Sequence, residues 1–164
     1  MERPKRKNIR LRGYDYSTPG WYFITICTKN KEKLLCDIVG TDILGGLKII
    51  FTEWGNIVNS QLIKMCDFYS HIKIDRYIVM PNHVHLILHI TEKSGPPGRS
   101  VPTNSVVSDF VGTFKRFTGR QIGANIWQNR SNDHIIRGEK DYLKITEYIE
   151  NNSYKWKDDC FYCE

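Results

Sequence analysis

The fold interpretation starts from the stretch MPNHVHLIL, residues 80–88. In a β-strand, side chains two residues apart point to the same face. Val84, Leu86 and Leu88 are therefore predicted to face one side of a strand, with His83 and His85 on the other. At that spacing two imidazoles lie about 6.6 Å apart along the strand and can converge on one ion. Taken alone, the pair is more typical of two polar residues on the wet face of an amphipathic strand.

Strand and helix patterns surround this stretch. Ile72–Met80, before a Pro81-Asn82 turn, is strand-like, and the β-branched and aromatic run at residues 21–28 predicts a buried strand. From Thr52, a favourable N-cap, apolar residues recur at helical spacing. The remaining predicted elements are a strand at 33–39 that could pair with 21–28, a strand at 47–50, a helix capped by Asn104 or Ser105, extended pieces at 126–127 and 134–136, and a last helix from about 140 to about 152.

The order of these elements favours one α+β domain spanning all 164 residues. Strands, helix, strands and helix, followed by a third helix, are typical of an antiparallel sheet with helices on one face. We therefore expect a ferredoxin-like or RRM-like core. Residues 93–102 (KSGPPGRSVP) are rich in Gly, Pro and Ser, which predicts a mobile loop within that domain.

The last predicted helix carries a second group of interest. Tyr148 and Asn152 stand four residues apart, so they share one face of the helix, beside the apolar stripe. If this face lies over the histidines, Asn152 offers an amide oxygen as a third ligand and Tyr148 presents its hydroxyl to a metal-bound phosphate. The alternative is a packing aromatic and a helix-ending asparagine.

The charge pattern favours a polyanion as partner. The formal net charge is +6, and the first twelve residues hold six cations, Arg6, Arg10 and Arg12 among them, against one acid. Such an arm suits a phosphate backbone, because each neutralised phosphate releases a counterion. The arm also fits a disordered, solubilising tail.

Other classes of protein are disfavoured by the sequence. No stretch approaches the ~20 apolar residues of a membrane span, and no apolar segment of a signal peptide follows the basic N-terminus. Five cysteines without an export signal predict reduced thiols in the cytoplasm. The CxxC formed by Cys160 and Cys163 lacks the second ligand pair that structural zinc requires.

Five ordered blocks together resemble the REP-associated tyrosine transposases, relatives of the single-tyrosine HUH transposases of small bacterial insertion sequences. The likeness extends over nearly the whole chain and is far more specific than a histidine pair or a tyrosine alone. The blocks are GYDYSTPGWYFITICT at 13–28, MPNHVHLIL at 80–88, PTNSVVSDFVGTFKRFTGR at 102–120, IWQ with the later DHIIR at 126–137, and YIENN at 148–152.

The resemblance implies a ferredoxin-like fold and a nicking chemistry. His83 and His85 would be metal ligands, Asn152 a third ligand and Tyr148 the nucleophile that forms a 5′-phosphotyrosine. The metal would be Mg²⁺ or Mn²⁺ and the substrate single-stranded or hairpin DNA. We expect a cation cluster on the second helix to hold phosphates, and the family's histidine-arginine block to support DNA binding or the active site; these residues are Lys115, Arg116, Arg120, His134 and Arg137.

The chain departs from the family pattern in two places. Asn152-Ser153 stands where the family has Asn-Pro, and Ser131 and Asn132 stand where aromatic residues are usual. Neither departure removes a group that the chemistry requires. Two other classes of function remain open, a non-catalytic RRM-like binder of single strands and a relaxase or replication initiator. The sequence leaves the choice between monomer and homodimer open.

Overall fold

The computed structural model describes residues 11, 13–40, 47–92 and 105–162. Within these residues the chain forms six strands and three helices. They are β1 (Gly20–Cys27), β2 (Cys36–Gly40), β3 (Leu47–Phe51), α1 (Glu53–Phe68), β4 (Ile72–Met80), β5 (His83–Ile90), α2 (Val106–Ile122), β6 (Asn132–Ile136) and α3 (Glu139–Asn151). Residues 1–10, Arg12 and the predicted loop at 93–102 lie outside the described residues.

The main sheet confirms the ferredoxin-like prediction. Its strands lie in the order β4-β5-β1-β6, and every neighbouring pair is antiparallel. Without the small β2-β3 hairpin, the chain order is β1-α1-β4-β5-α2-β6, which is the ferredoxin-like order. Thr52 caps α1 by accepting from Gly55 N–H at 3.0 Å, and Ser105 caps α2 by accepting from Ser108 N–H at 3.3 Å.

One predicted pairing is wrong. Residues 33–39 do not pair with the first strand; β2 instead pairs antiparallel with β3. A strand has two hydrogen-bonding edges, and both edges of β1 are occupied, one by β5 and the other by β6. The hairpin therefore forms its own two-stranded sheet, and its second strand, β3, contacts α1.

The sheet separates two apolar clusters. The larger cluster lies between the sheet and helices α1 and α2, and the smaller lies beneath α3 on the opposite face. Both follow from strand alternation, because odd and even residues of β5 enter different clusters. Main contributors to the larger cluster are Tyr22, Ile24, Ile26, Leu62, Leu86, Leu88, Phe110 and Phe114, and the smaller is built from Ile87, Ile136, Ile145 and Ile149.

The alternation also determines where the histidine pair points. Val84 and Leu86 belong to the larger cluster, so His83 and His85 project to the face that α3 covers. In the sheet register His85 is opposite Thr25, and His83 is opposite Cys27. No helix among the described residues combines the length and apolar composition needed to cross a bilayer.

Candidate active site

His83 and His85 of β5 are buried and neutral at pH 7. His83 is 0% exposed and His85 is 1% exposed, so the alternative of a wet strand face does not hold. Burial lowers the pKa of His83 to about 4, although the nearby Asp159 carboxylate opposes the shift. Burial also lowers the pKa of His85 well below its ordinary range, and the neighbouring His83 lowers it further. Each ring therefore keeps a lone pair available.

Hydrogen bonds on the inner side of each ring fix its orientation. His83 Nδ1 lies 2.8 Å from Asn82 Oδ1. The Asn82 amide nitrogen donates to the carbonyls of Lys31 and Phe161 at 3.1 and 2.8 Å, which identifies Oδ1 as the acceptor. His83 Nδ1 thus carries the proton, and its Nε2 presents a lone pair, the tautomer that a metal ligand needs.

His85 is held in a similar way by the neighbouring strand. Thr25 Oγ1 and His85 Nδ1 share a hydrogen bond of 2.8 Å, which leaves Nε2 pointing away from the sheet. Phe23, two residues earlier on β1, packs against the His85 ring with centroids 5.2 Å apart. The sheet therefore positions both imidazoles before any ligand arrives.

Helix α3 brings the predicted tyrosine and asparagine to these rings. The Tyr148 hydroxyl lies 3.3 Å from His85 Nε2, and the two ring centroids are 5.2 Å apart. Tyr148 is 39% exposed, so its ring can be reached from solvent, whereas Asn152 is 2% exposed. Partial burial raises the pKa of Tyr148, and its hydrogen bond to Asp159 raises it further.

A carboxylate from the C-terminal segment completes the cluster. Asp159 Oδ2 accepts from the Tyr148 hydroxyl at 2.9 Å and from the Asn152 amide at 2.7 Å. Its other oxygen accepts from Phe161 N–H at 2.7 Å. The Phe161 ring covers His83, with centroids 4.7 Å apart. Sequence reasoning missed Asp159, because it follows the last helix in a segment without periodicity.

The arrangement can hold a metal ion. One ligand atom each from His83, His85 and Asp159 lies within 4.8 Å of the others. Among the described residues, His83 Nε2 and Asn152 Oδ1 are buried without a hydrogen-bond partner. Buried polar atoms are nearly always paired, so two orphaned lone-pair donors at one point indicate a missing ligand. Imidazole and oxygen donors together suit a divalent transition ion or Mg²⁺.

The predicted cation cluster lies away from this point, on α2. Lys115 is partly buried and donates to the Gln128 carbonyl at 2.8 Å, and burial lowers its pKa to about 8. Arg116 and Arg120 are exposed on the same face of the helix. These three cations line a cavity beside α2.

The histidine-arginine block is tied to the start of α3. His134 is exposed and pairs with the Asp141 carboxylate at 2.9 Å. The same carboxylate accepts from the backbone N–H of Arg137 at 3.0 Å, and both bonds hold its pKa below the usual range. The block therefore anchors the helix that carries Tyr148. The predicted arm residues Arg6, Arg10 and Arg12 lie outside the described residues.

The aromatic residues near the N-terminus serve mainly the core. Tyr16 is buried and belongs to the larger apolar cluster. Trp21 stacks on His89 with centroids 4.0 Å apart and meets Tyr142 edge-on. Cys27, Cys36, Cys66 and Cys160 are free thiols. Cys163, the second residue of the CxxC, lies outside the described residues.

Comparison with known proteins finds two relatives in sequence. No family model matches the chain. An uncharacterised protein of Haemophilus influenzae is 34% identical, over 97% of this chain and 94% of the relative. A second protein of Haemophilus influenzae, named as a REP-associated tyrosine transposase, is 23% identical over 86% of this chain and 74% of the relative.

A solved structure shares the fold. It is a REP-associated tyrosine transposase bound to a REP hairpin, 24% identical in sequence, with a TM-score of 0.62 over 90% of this chain and 73% of that one. The chain therefore has the fold of a transposase and is similar in sequence to a REP-associated tyrosine transposase.

Proposed function

We propose that this protein cleaves and rejoins single-stranded or hairpin DNA through a phosphotyrosine on Tyr148, with Mg²⁺ or Mn²⁺ as cofactor. The proposal is carried by one observation. The Tyr148 hydroxyl lies 3.3 Å from His85 Nε2, beside two buried donor atoms that lack partners. A nucleophile and a metal site that meet at one point are what HUH-type nicking needs.

His83, His85 and Asn152 would hold the ion. His83 Nε2 and the Asn152 amide oxygen have no hydrogen-bond partner, and His85 Nε2 lies 3.3 Å from the Tyr148 hydroxyl, whereas both oxygens of Asp159 accept hydrogen bonds. When bound, the ion would polarise the scissile phosphate and offset the negative charge that develops on it. Asp159 adds one negative charge to the cluster without being a required ligand.

The remaining chemistry belongs to the chain's own side chains. A phenol is a poor nucleophile at pH 7, and burial beside Asp159 raises the pKa of Tyr148 further. Its proton must therefore leave as the bond forms. Asp159, already hydrogen-bonded to the hydroxyl at 2.9 Å, is placed to take it.

The cleavage step would exchange one oxygen–phosphorus bond for another. The Tyr148 oxygen bonds to phosphorus while the bond from phosphorus to the departing 3′ oxygen breaks. That oxygen takes up a proton from water and becomes a free 3′-hydroxyl. The 5′-phosphotyrosine keeps the energy of the broken bond for later joining to another 3′-hydroxyl.

The substrate class is inferred from the relatives and the charge. The structural relative holds a REP hairpin. The net charge of +6 suits DNA here too, and a DNA-processing role would place the protein in the bacterial cytoplasm. The alternative, a non-catalytic RRM-like binder, would need neither an exposed phenol nor orphaned donor atoms beneath it.

Covalent capture tests the nucleophile. We expect the protein, incubated with Mn²⁺ and single-stranded DNA carrying a REP hairpin, to form an adduct that survives a denaturing gel. Tyr148→Phe should abolish the adduct and keep DNA binding. Tyr154→Phe is the matched control, because Tyr154 is an exposed tyrosine just beyond the same helix. An undiminished adduct in Tyr148→Phe would exclude this nucleophile.

Metal binding tests the ligand set without cleavage. Calorimetric titration with Mn²⁺ should show one site in the wild type and lose it in His83→Ala. His89→Ala is the control, because His89 lies on the same strand but stacks on Trp21 instead. Equal affinity in His83→Ala and wild type would refute the ligand assignment.

A further inference from the structure

A cavity of about 510 Å³ opens beside α2, separate from the histidine cluster. Its size falls within the range of roughly 300–1,000 Å³ that small-molecule sites occupy. One wall is α2 itself, and the other is the segment that leads from α2 to β6. The lining of the cavity includes Gly112, Arg116, Gly119, Arg120, Gln128 and Asn129.

The helix wall alternates glycine and arginine. Gly112, Arg116, Gly119 and Arg120 follow one another at intervals of four, three and one, so they share one stripe of α2, opposite its apolar stripe. A Cβ added at Gly112 would meet nothing within 4 Å, so the wall is open at that point. Glycine lets a ligand approach the helix backbone closely.

The two arginines have donors to spare. Arg116 uses one nitrogen to donate to Thr113 Oγ1 at 3.2 Å, and both guanidinium groups are exposed. A guanidinium presents five N–H donors in a planar fork that matches a phosphate. This wall therefore suits a phosphodiester.

The opposite wall carries side-chain amides. Gln128 is fixed through its backbone, since its N–H donates to the Cys27 carbonyl at 2.9 Å and its own carbonyl accepts from Lys115 at 2.8 Å. The Gln128 side chain is half-buried and that of Asn129 is exposed. Each amide offers both a donor and an acceptor, which is the pattern presented by the edge of a nucleobase.

The cavity adjoins the end of the sheet that carries the histidines. Gln128 bonds to Cys27, the last residue of β1, and Cys27 is opposite His83 in the sheet register. One strand of the sheet separates the amide wall from the histidine pair. The cavity therefore adjoins the strand that pairs with the histidine strand, on the α2 side of the sheet.

We propose that this cavity binds one unpaired nucleotide of the DNA strand, with its phosphate on Arg116 and Arg120 and its base edge on Gln128 and Asn129. The proposal rests on the proposed function for the identity of the nucleic acid. The base contacts would be additional to the phosphate contacts made by α2. The glycines of α2 would leave room for the base.

Binding to uncleaved strands tests the cavity apart from catalysis. The probes are fluorescent 12-mers of equal charge, dT12, dA12, dC12 and a fully abasic strand. Affinity is measured by anisotropy in EDTA with the Tyr148→Phe protein. We expect at least one base-containing probe to bind about tenfold more tightly than the abasic strand, as one to two net hydrogen bonds would give.

Gly112→Leu fills the cavity without straining the fold, since the added side chain meets open space. It should remove the preference, so that the base-containing probes bind no more tightly than the abasic strand. Ser60→Leu, at an exposed position of α1, is the control and should keep the preference. Arg120→Ala should weaken all probes alike and reduce the salt slope of binding by about one.

Two results would overturn the proposal. Equal affinity for abasic and base-containing probes would reduce the cavity to a phosphate patch, and a preference that survives Gly112→Leu would place the base elsewhere. Its failure is distinguishable from failure of the proposed function. An adduct on Tyr148 without base preference contradicts only the cavity, whereas base preference without an adduct contradicts only the nuclease.

Discussion

Acid should destabilise the metal-free protein through its two buried imidazoles. An unfolded histidine titrates at its ordinary pKa of 6.5, whereas burial lowers the pKa of folded His83 to about 4. Between these two pKa values the His83 imidazole is protonated in the unfolded chain and neutral in the folded chain. The stabilising contribution is therefore complete above pH 6.5 and is lost as the pH falls toward 4.

The magnitude follows from the size of the shift. Each pH unit within the window lowers the free energy of unfolding by about 1.4 kcal/mol for one such group. Acidification to pH 5 crosses about 1.5 units below the unfolded pKa, so His83 contributes a loss of about 2 kcal/mol. The pKa of His85 is lowered in the same direction, so its protonation adds to this loss.

Urea unfolding followed by tryptophan fluorescence, in EDTA at pH 7 and pH 5, measures this loss. The double variant His83→Gln, His85→Gln removes both titrating groups and should lose most of the difference between the two pH values. His89→Gln removes a histidine of the same strand and should keep the wild-type difference. If the double variant loses as much stability on acidification as the wild type, the two imidazoles are not buried as neutral groups.

Three further changes test the packing and the support of the site. Gly55→Ala should lower the free energy of unfolding, measured in urea, by at least about 3 kcal/mol, because its Cβ would clash with the Leu35 backbone oxygen. Gly112→Ala would meet no atom and should raise the free energy of unfolding by up to about 1 kcal/mol. Equal effects of the two substitutions would contradict the packing. Thr25→Val removes the partner of His85 Nδ1 and should weaken Mn²⁺ binding about tenfold by calorimetry; unchanged affinity would argue against ring positioning. Asp159→Asn should slow adduct formation about 100-fold while Mn²⁺ affinity falls less than in His83→Ala, and an equal fall in affinity would make Asp159 a ligand.

Local patterns were sufficient to predict most of the secondary structure. Thr52 and Ser105 cap the helices because capping depends on residues three apart, and strand alternation along β5 depends on neighbours two apart. The partner of residues 33–39 depended instead on which edges of β1 were already taken, by β5 and β6. That is a property of the whole sheet, and no local pattern carries it.

The candidate site shows the same division. Alternation placed His83 and His85 on one face, and helical spacing placed Tyr148 and Asn152 on another, but neither pattern says what covers a polar face. The burial of the histidines depends on α3 and on the segment around Asp159, more than 70 positions along the chain from His85. An acidic residue in an aperiodic segment gives no signal until the fold brings it to the cluster.

The charges of the cluster explain why these residue types suit DNA. The two imidazoles are neutral and the Asn152 amide carries no charge, so Asp159 is the anion of the group. A divalent ion with this donor set would leave a net charge of about +1 to face a phosphodiester of charge −1. A second carboxylate in place of Asn152 would cancel that remainder and remove the net attraction for the phosphate. In the proposed mechanism, the amide would therefore keep the metal-loaded site positive, while the single carboxylate would remain beside the phenol whose proton has to leave.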